Sequence, residues 1–413
     1  MQFPKRITIE NRFDLYRGTT IVQHSPEHVV QAGLGGVLEV EGLINHETNT
    51  QFGGTIDKAI TESVPLFRSM IGLRTRRGDP IRVEAESGDY DLLGDIPVRK
   101  KPTTKGPPWT VEERSDGTRI IKVTAENMER AAELARHASR AHKAPGNKPA
   151  KIEASSVRTF VPTISHKLEL GGPVDLRAVA KSCVNALAVH LTPRAVLGGP
   201  FQQIRDYVLY GVDHCAELLG GGMDPHPAYA CWDNRPELFP ALPKDCNLGP
   251  IDHRLVIRGC SAEKTVYATA ELFGYLPVSV LLTDDWTGAE FCWGLVTDPR
   301  PDGNGHWRGL LDIRFRPALS ADAVMAHATN IDGLRTANEK LVAALTQLAK
   351  DRTMNDLLTQ CLTEALGQQD GRPVTEDMVN NAASKVAERF TELMFRFESR
   401  TRVEPPPDLL PPD

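Results

Sequence analysis

The chain has 413 residues, of which 40% are hydrophobic, 25% charged and 6% aromatic, a balance that excludes a disordered or fibrous protein. At roughly 150 residues per domain this length predicts two or three domains. Lys and Arg number 48 against 54 Asp and Glu, a formal net charge of −6, so a nucleic-acid partner has to be met by a local basic patch.

The opening residues contain no apolar signal core, and no apolar run approaches the roughly 18 residues of a membrane span. A cytoplasmic protein that spans no membrane is expected. The seven cysteines are odd in number and form no C-x-x-C pair, which argues against a disulfide framework and a zinc ribbon alike.

Up to about Val98, short β-like stretches at 6–9, 19–23 and 43–44 alternate with one helical stretch over 48–70, interrupted at Pro65. Residues 99–108, basic and proline-rich, predict a linker. A strand over 118–123 and a helix over 125–142 follow, then a second linker at 144–149. Residues 160–170 alternate as a strand does, and 175–189 and 201–209 carry helical spacing.

Glycines and prolines make 220–250 irregular. The β-branched stretches 253–257, 265–271 and 278–283 predict an antiparallel meander, continued by 291–296 and 310–315. Helices are expected over 321–350, 354–366 and 375–396, with Thr375 as an N-cap. The expected organisation is α+β: a small domain over 1–98, a linker with strand and helix over 99–150, a mixed α/β or α+β middle domain with antiparallel strands over 151–319, a helical region over 320–402, and a disordered proline-rich tail over 403–413.

Chemistry concentrates in two neighbouring stretches. Glu27 and His28 precede a glycine turn at Gly33, Gly35 and Gly36, and a short strand at Leu43 and Ile44 leads through His46 to Asn49 at the head of a helix. A carboxylate beside a histidine on a strand, a glycine turn, a second strand and an Asn entering a helix resembles the HNH endonuclease family, of the bacterial and phage type, over roughly residues 12–79.

The resemblance implies a ββα-metal fold and hydrolysis of DNA phosphodiester bonds with Mg2+ or Mn2+. It gives His28 the role of general base and makes Glu27 and Asn49 metal ligands. His46 is close enough in sequence to serve as a second ligand or a proton donor. The residue types suit that chemistry: imidazole can activate water near neutral pH, and a hard divalent ion takes oxygen ligands and neutralises phosphate charge. Adjacent strand residues point to opposite faces, so Glu27 and His28 reach one point only if the chain bends at or just after Pro26.

Relatives carry two C-x-x-C pairs around this unit. The matching positions here are Asp14 and Arg17, then Asn45 and Thr48, so no structural zinc is expected. The family's middle Asn, which orients the base, falls near Val40, whose side chain cannot hydrogen-bond. These departures motivate the alternative of a catalytically degenerate scaffold that binds nucleic acid or serves assembly.

After the helical stretch, Arg74, Arg76 and Arg77, with Arg68 and Arg82 nearby, form the densest cationic run. Guanidinium groups suit a DNA phosphate backbone, although a solvated, salt-bridged face is the commoner use of such a run. His214, Cys215, His226, Cys231 and Cys246 match no paired zinc-ligand spacing. Apolar residues at helical spacing, among them Leu341, Leu345 and Leu348 and later Val386, Phe390, Leu393 and Met394, fit either core packing or a homo-oligomer contact through the C-terminal helices.

Overall fold

The computed structural model describes residues 5–75, 77–79, 81, 83–85, 92–93, 96–100, 109–113, 119–123, 134, 137–138, 172–211, 229–233, 235, 238, 249, 251–301, 307–310, 317–325, 331–366 and 375–398. The chain is a mixture of helices and mainly antiparallel sheets. Its first third contains β1 (Arg6–Thr8), β2 (His24–His28), β3 (Glu39–Asn45), α1 (His46–Gly54), α2 (Ile56–Ser63), α3 (Pro65–Met70), β4 (Val83–Ala85), β5 (Leu92–Leu93), β6 (Ile96–Lys100), β7 (Trp109–Glu113) and β8 (Arg119–Val123). Next come α4 (Pro173–Leu191), α5 (Pro193–Val196), α6 (Gln202–Tyr210), β9 (Ala230–Trp232), β10 (His253–Cys260), β11 (Thr265–Leu272), β12 (Leu276–Thr283), β13 (Phe291–Thr297) and β14 (Trp307–Leu310). The last are α7 (Ala321–Met325), α8 (Ile331–Leu366) and α9 (Glu376–Glu398). Among the described residues no helix is long and apolar enough to cross a membrane.

Two compact units share the chain, each drawn from two segments: Met1–Ile81 with Lys167–Arg352, and Arg82–His166 with Thr353–Asp413. The second contains the small sheet β4-β6-β5 and the antiparallel pair β7 and β8. In it Thr375 caps α9, its Oγ1 accepting from the Met378 N–H at 3.3 Å, as expected of that residue. The expected helix over 125–142 and strand over 160–170 fall mostly or wholly outside the described residues, as does the tail over 403–413.

The first unit is organised by α4. Its sequence is rich in Ala and Val, and every residue from Leu176 to Ala188 except Arg177 is buried, the signature of a helix covered all round. It packs against α2 and β3 and against strands β9 to β12. The six-stranded sheet has the order β14-β13-β10-β11-β12-β9. Its central strands are buried along both faces, which is why they read as almost unbroken apolar runs rather than alternating ones. Tyr267 and Leu281, paired across β11 and β12, pack with Leu238 and Val324 of α7.

The meander over β10, β11 and β12 is as the sequence predicts, but the next strand does not continue it. β13 pairs with β10, and the free edge of β12 is taken by β9, a strand from the stretch read as irregular. Likewise 354–366 does not form a helix of its own, because α8 runs unbroken through that boundary.

A three-stranded sheet, β1-β3-β2, with α1 to α3 forms the rest of the first unit. The expected helix over 48–70 is three short helices. It breaks at Thr55 as well as before Pro65, and Pro65 opens α3 at its first turn, where a missing N–H costs nothing. The strand expected at 19–23 is displaced to 24–28, leaving Thr20 with a single bridge to Phe13. β2 contains Ser25, Pro26, Glu27 and His28, none a strong strand former, and it is burial of Ser25 and Glu27 that holds it in place. Its pairing with β3 shifts register between Ser25 and Glu27, a bulge at Pro26 where proline is tolerated in a sheet.

The glycine turn is shaped by close approach. Gly35 has φ +93°, and a Cβ there would lie 2.5 Å from the Pro299 carbonyl oxygen; one at Gly36 would overlap the Val30 carbonyl. The turn is held to the large sheet by His253, fully buried at the start of β10. Its Nε2–H donates to the Leu34 carbonyl at 2.8 Å, and its Nδ1 accepts from the Phe273 N–H at 3.0 Å. These bonds require the neutral ring.

Burial pushes the His253 pKa down to about 4 from 6.5, against the opposing pull of the Leu34 carbonyl. The unfolded chain therefore binds the proton first as pH falls. The contribution of His253 to stability is complete above about pH 6.5 and is lost as pH falls toward 4, in total about 3 kcal/mol. Urea unfolding between pH 7 and 4 should show this decline. His253→Gln should be less stable at pH 7 and have a shallower pH slope across the same window.

Candidate functional site

The candidate site lies where β2, β3 and α1 meet α2 and α4. At its centre Lys181, a single lysine in the apolar run of α4, is 1% exposed. Its Nζ lies 2.5 Å from Glu27 Oε1 on β2 and 2.7 Å from Asp57 Oδ2 on α2. One turn along α4, Asn185 donates from Nδ2 to Glu27 Oε1 at 3.3 Å and to the His28 carbonyl at 3.4 Å. The Tyr16 hydroxyl donates to Asn185 Oδ1 at 2.8 Å. The Tyr16 ring meets Phe52 edge-on at 4.9 Å, and the Lys181 ammonium stands 5.1 Å from the Phe52 ring centre.

Electrostatics follow from this burial. Desolvation alone would lower the Lys181 pKa, but the two carboxylates outweigh it and hold the value above its ordinary level, so the ammonium stays charged. The Glu27 pKa is raised, by burial first and by the charge of Asp57, with Lys181 opposing. Two acids around one base leave the cluster with one negative charge in excess. Asp57 Oδ1 is buried with no hydrogen-bond partner.

His28 turns the other way. Its Nε2 lies 3.5 Å from Glu39 Oε1 on the opposed position of β3, and Arg6 donates to Glu39 Oε2 from Nε at 2.9 Å and Nη2 at 2.5 Å. Burial lowers the His28 pKa against the pull of Glu39, so the ring is neutral at pH 7. The bend at Pro26 is present, yet the carboxylate of Glu27 and the imidazole of His28 engage different partners on different elements. Asn49 ties α1 to that bend, its Nδ2 donating to Ser25 Oγ at 2.7 Å and to the Pro26 carbonyl at 3.0 Å. His46 opens α1 with its side chain exposed.

Glu27, a ligand by the resemblance, is paired with Lys181, and the Asn49 side chain is oriented by the two bonds its Nδ2 donates to β2. No three His, Cys, Asp or Glu side chains among the described residues are grouped to hold a metal ion. The four positions that align with the family's cysteines are joined in another way. Asp14, fully buried, accepts from the N–H groups of Tyr16 and Arg17 on Oδ1, both at 2.9 Å, and from the Asn45 N–H on Oδ2 at 2.8 Å. One carboxylate thus links the 14–17 turn to the end of β3. Thr48, the fourth position, is buried with its Oγ1 unpartnered.

Of the arginine run, Arg74 and Arg77 are exposed on the turn after α3, where Arg74 Nη1 donates to the Gly78 carbonyl at 3.0 Å. Arg68 is committed to the Gly33 and Thr61 carbonyls, and Arg76 lies outside the described residues. No family model, curated protein or solved structure matches this chain.

Sequence reasoning alone missed Lys181, Asn185, Asp57, Tyr16 and Glu39. For the first two a signal existed. Lys181 and Asn185 stand four apart in the mainly apolar stretch 178–189 of α4, a spacing that puts both on one face, and buried polar residues of this kind require partners. Lys181→Met should cost about 3–5 kcal/mol by stranding the buried Glu27 carboxylate beside the partly buried Asp57, and adding Glu27→Gln with Asp57→Asn should recover most of the loss. Asp14→Ala should cost about 3 kcal/mol by orphaning three backbone donors. Chemical denaturation midpoints check both.

Proposed function

We propose that this chain is a catalytically silent, HNH-like ββα scaffold that binds the phosphate backbone of DNA. The order β2, β3, α1 with antiparallel strands supports the likeness in fold. The observation that carries the reading is the buried Lys181 ammonium seated between Glu27 and Asp57: the carboxylate that a nuclease would offer to Mg2+ or Mn2+ is engaged as a structural ion pair. Backbone binding falls to the exposed Arg74 and Arg77, whose guanidinium forks suit phosphate oxygens. Such binding is independent of divalent ions and sensitive to salt.

One observation favours the second reading, a metal-dependent endonuclease. His28 is neutral, partly exposed and backed by Glu39, which supplies across the strand pair the orienting contact that Val40 cannot make. Nicking of supercoiled plasmid in Mg2+ or Mn2+ decides between the two. The scaffold reading expects no nicking by either wild type or His28→Ala, together with duplex binding that EDTA leaves unchanged. In that binding, Arg74→Ala with Arg77→Ala should reduce the slope of log K against log salt by about 2. Nicking that His28→Ala abolishes establishes the nuclease instead.

A further inference from the structure

A cleft of about 400 Å3 opens between the 16–19 turn and α6, bordered by Arg17, Thr19, Gln202, Arg205, Asp206 and Tyr210. Its size is within the range of small-ligand sites. One wall is Arg205, 3% exposed. Its guanidinium donates only to neutral oxygens: the Leu15 and Tyr16 carbonyls at 3.3 and 3.4 Å, and the Leu197 carbonyl and Gln202 Oε1 at 3.2 and 2.5 Å. Among the described residues no carboxylate lies within 4 Å of it, and its Nε–H is buried with no acceptor at all.

A buried cation without an anion is costly. Among the described residues that border the cleft the one carboxylate is Asp206; both its oxygens accept from Gln202 Nε2, at 2.8 and 2.9 Å, and with Asp14 it acts on Arg205 only from beyond 4 Å, so that burial still outweighs the two acids and lowers the Arg205 pKa. Arg17 brings a second guanidinium to the rim, held by Gln51 Oε1 at 2.7 Å and 3.7 Å from Glu47. Tyr210, half exposed, offers an aromatic face at the same mouth. An incompletely compensated guanidinium at the wall, a second cation at the rim and an aromatic surface beside them suit an anionic ligand with a flat part.

We propose that this cleft binds a nucleoside monophosphate group, its phosphoryl oxygens compensating Arg205 and Arg17 and its base lying on Tyr210. The same chemistry is offered by a free nucleotide and by the 5′-phosphorylated end of a DNA strand. The site is separate from the arginine turn after α3 and does not depend on the scaffold reading.

Calorimetric titration of the full chain with AMP, adenosine, and 5′-phosphorylated and 5′-hydroxyl oligothymidylate tests this. AMP or the phosphorylated strand should bind and raise the melting temperature, while the partner lacking the phosphate should do neither. Binding by AMP alone assigns the site to free nucleotides, and binding by the phosphorylated strand assigns it to strand ends. Arg17→Ala should weaken binding by about tenfold. Thr19→Trp, a filling substitution at an exposed rim position, should abolish it, and circular dichroism confirms that each variant is folded. The proposal is overturned if neither phosphorylated ligand binds the wild type at millimolar concentration. It is equally overturned if removal of the phosphate leaves affinity unchanged, or if Thr19→Trp binds as the wild type does.

Discussion

Three segments of chain converge on the ammonium of Lys181. β2 brings Glu27, α2 brings Asp57, and α4 brings the lysine with Asn185 one turn away. Burying these charges is expensive, and an apolar trio of the same shape could be as stable or more so. What the charged version adds is direction: an apolar contact tolerates sliding, whereas an ammonium with two carboxylates and an amide is satisfied in one register only. Because β2 is a poor strand by composition and is bulged at Pro26, that register is not otherwise secured. The placement of His28 against Glu39 and of Asn49 against Ser25 follows from it.

Two further polar contacts act in the same way at the edges of the unit. Asp14 gathers three backbone N–H groups where a metal-linked knuckle would use four side chains, and His253 joins the glycine turn to β10 of the large sheet. Each is buried and hydrogen-bonded among apolar neighbours such as Leu15, Leu34, Leu43 and Phe273. The small sheet thus combines apolar burial with polar contacts that fix its backbone.

This division explains what the sequence reveals. β10 to β12, α4, α6 and α9 were legible because the local apolar content, as continuous runs in the strands and α4 and as helical spacing in α6 and α9, is the cause of their structure. β2 was misplaced by five residues because its cause is the lysine more than 150 residues away, which no local window contains. The exchange of neighbours between β9 and β13 has the same origin: strand order depends on which edge is left open, a property of the assembled sheet. In the site, Glu27, His28 and Asn49 were found through their resemblance to a motif, and the structure brings them to the same strand end. Their partners Lys181, Asp57 and Glu39 were not found, since pairing is a matter of space and the motif concerns spacing. Arg205 is visible only in three dimensions, as a buried guanidinium whose hydrogen bonds all go to neutral oxygens.

The contacts that complete the first unit link residues far apart in the chain. Tyr16 and Asn185 are 169 positions apart, Leu34 and His253 219. At ribosomal elongation speeds of about 5–20 residues per second, the glycine turn waits roughly 10–40 s for the histidine that anchors it. For about the first two thirds of that interval Glu27 has no lysine and the small sheet has no α4 to cover it. The native arrangement of the small sheet is thus a late event set by contacts of high sequence separation.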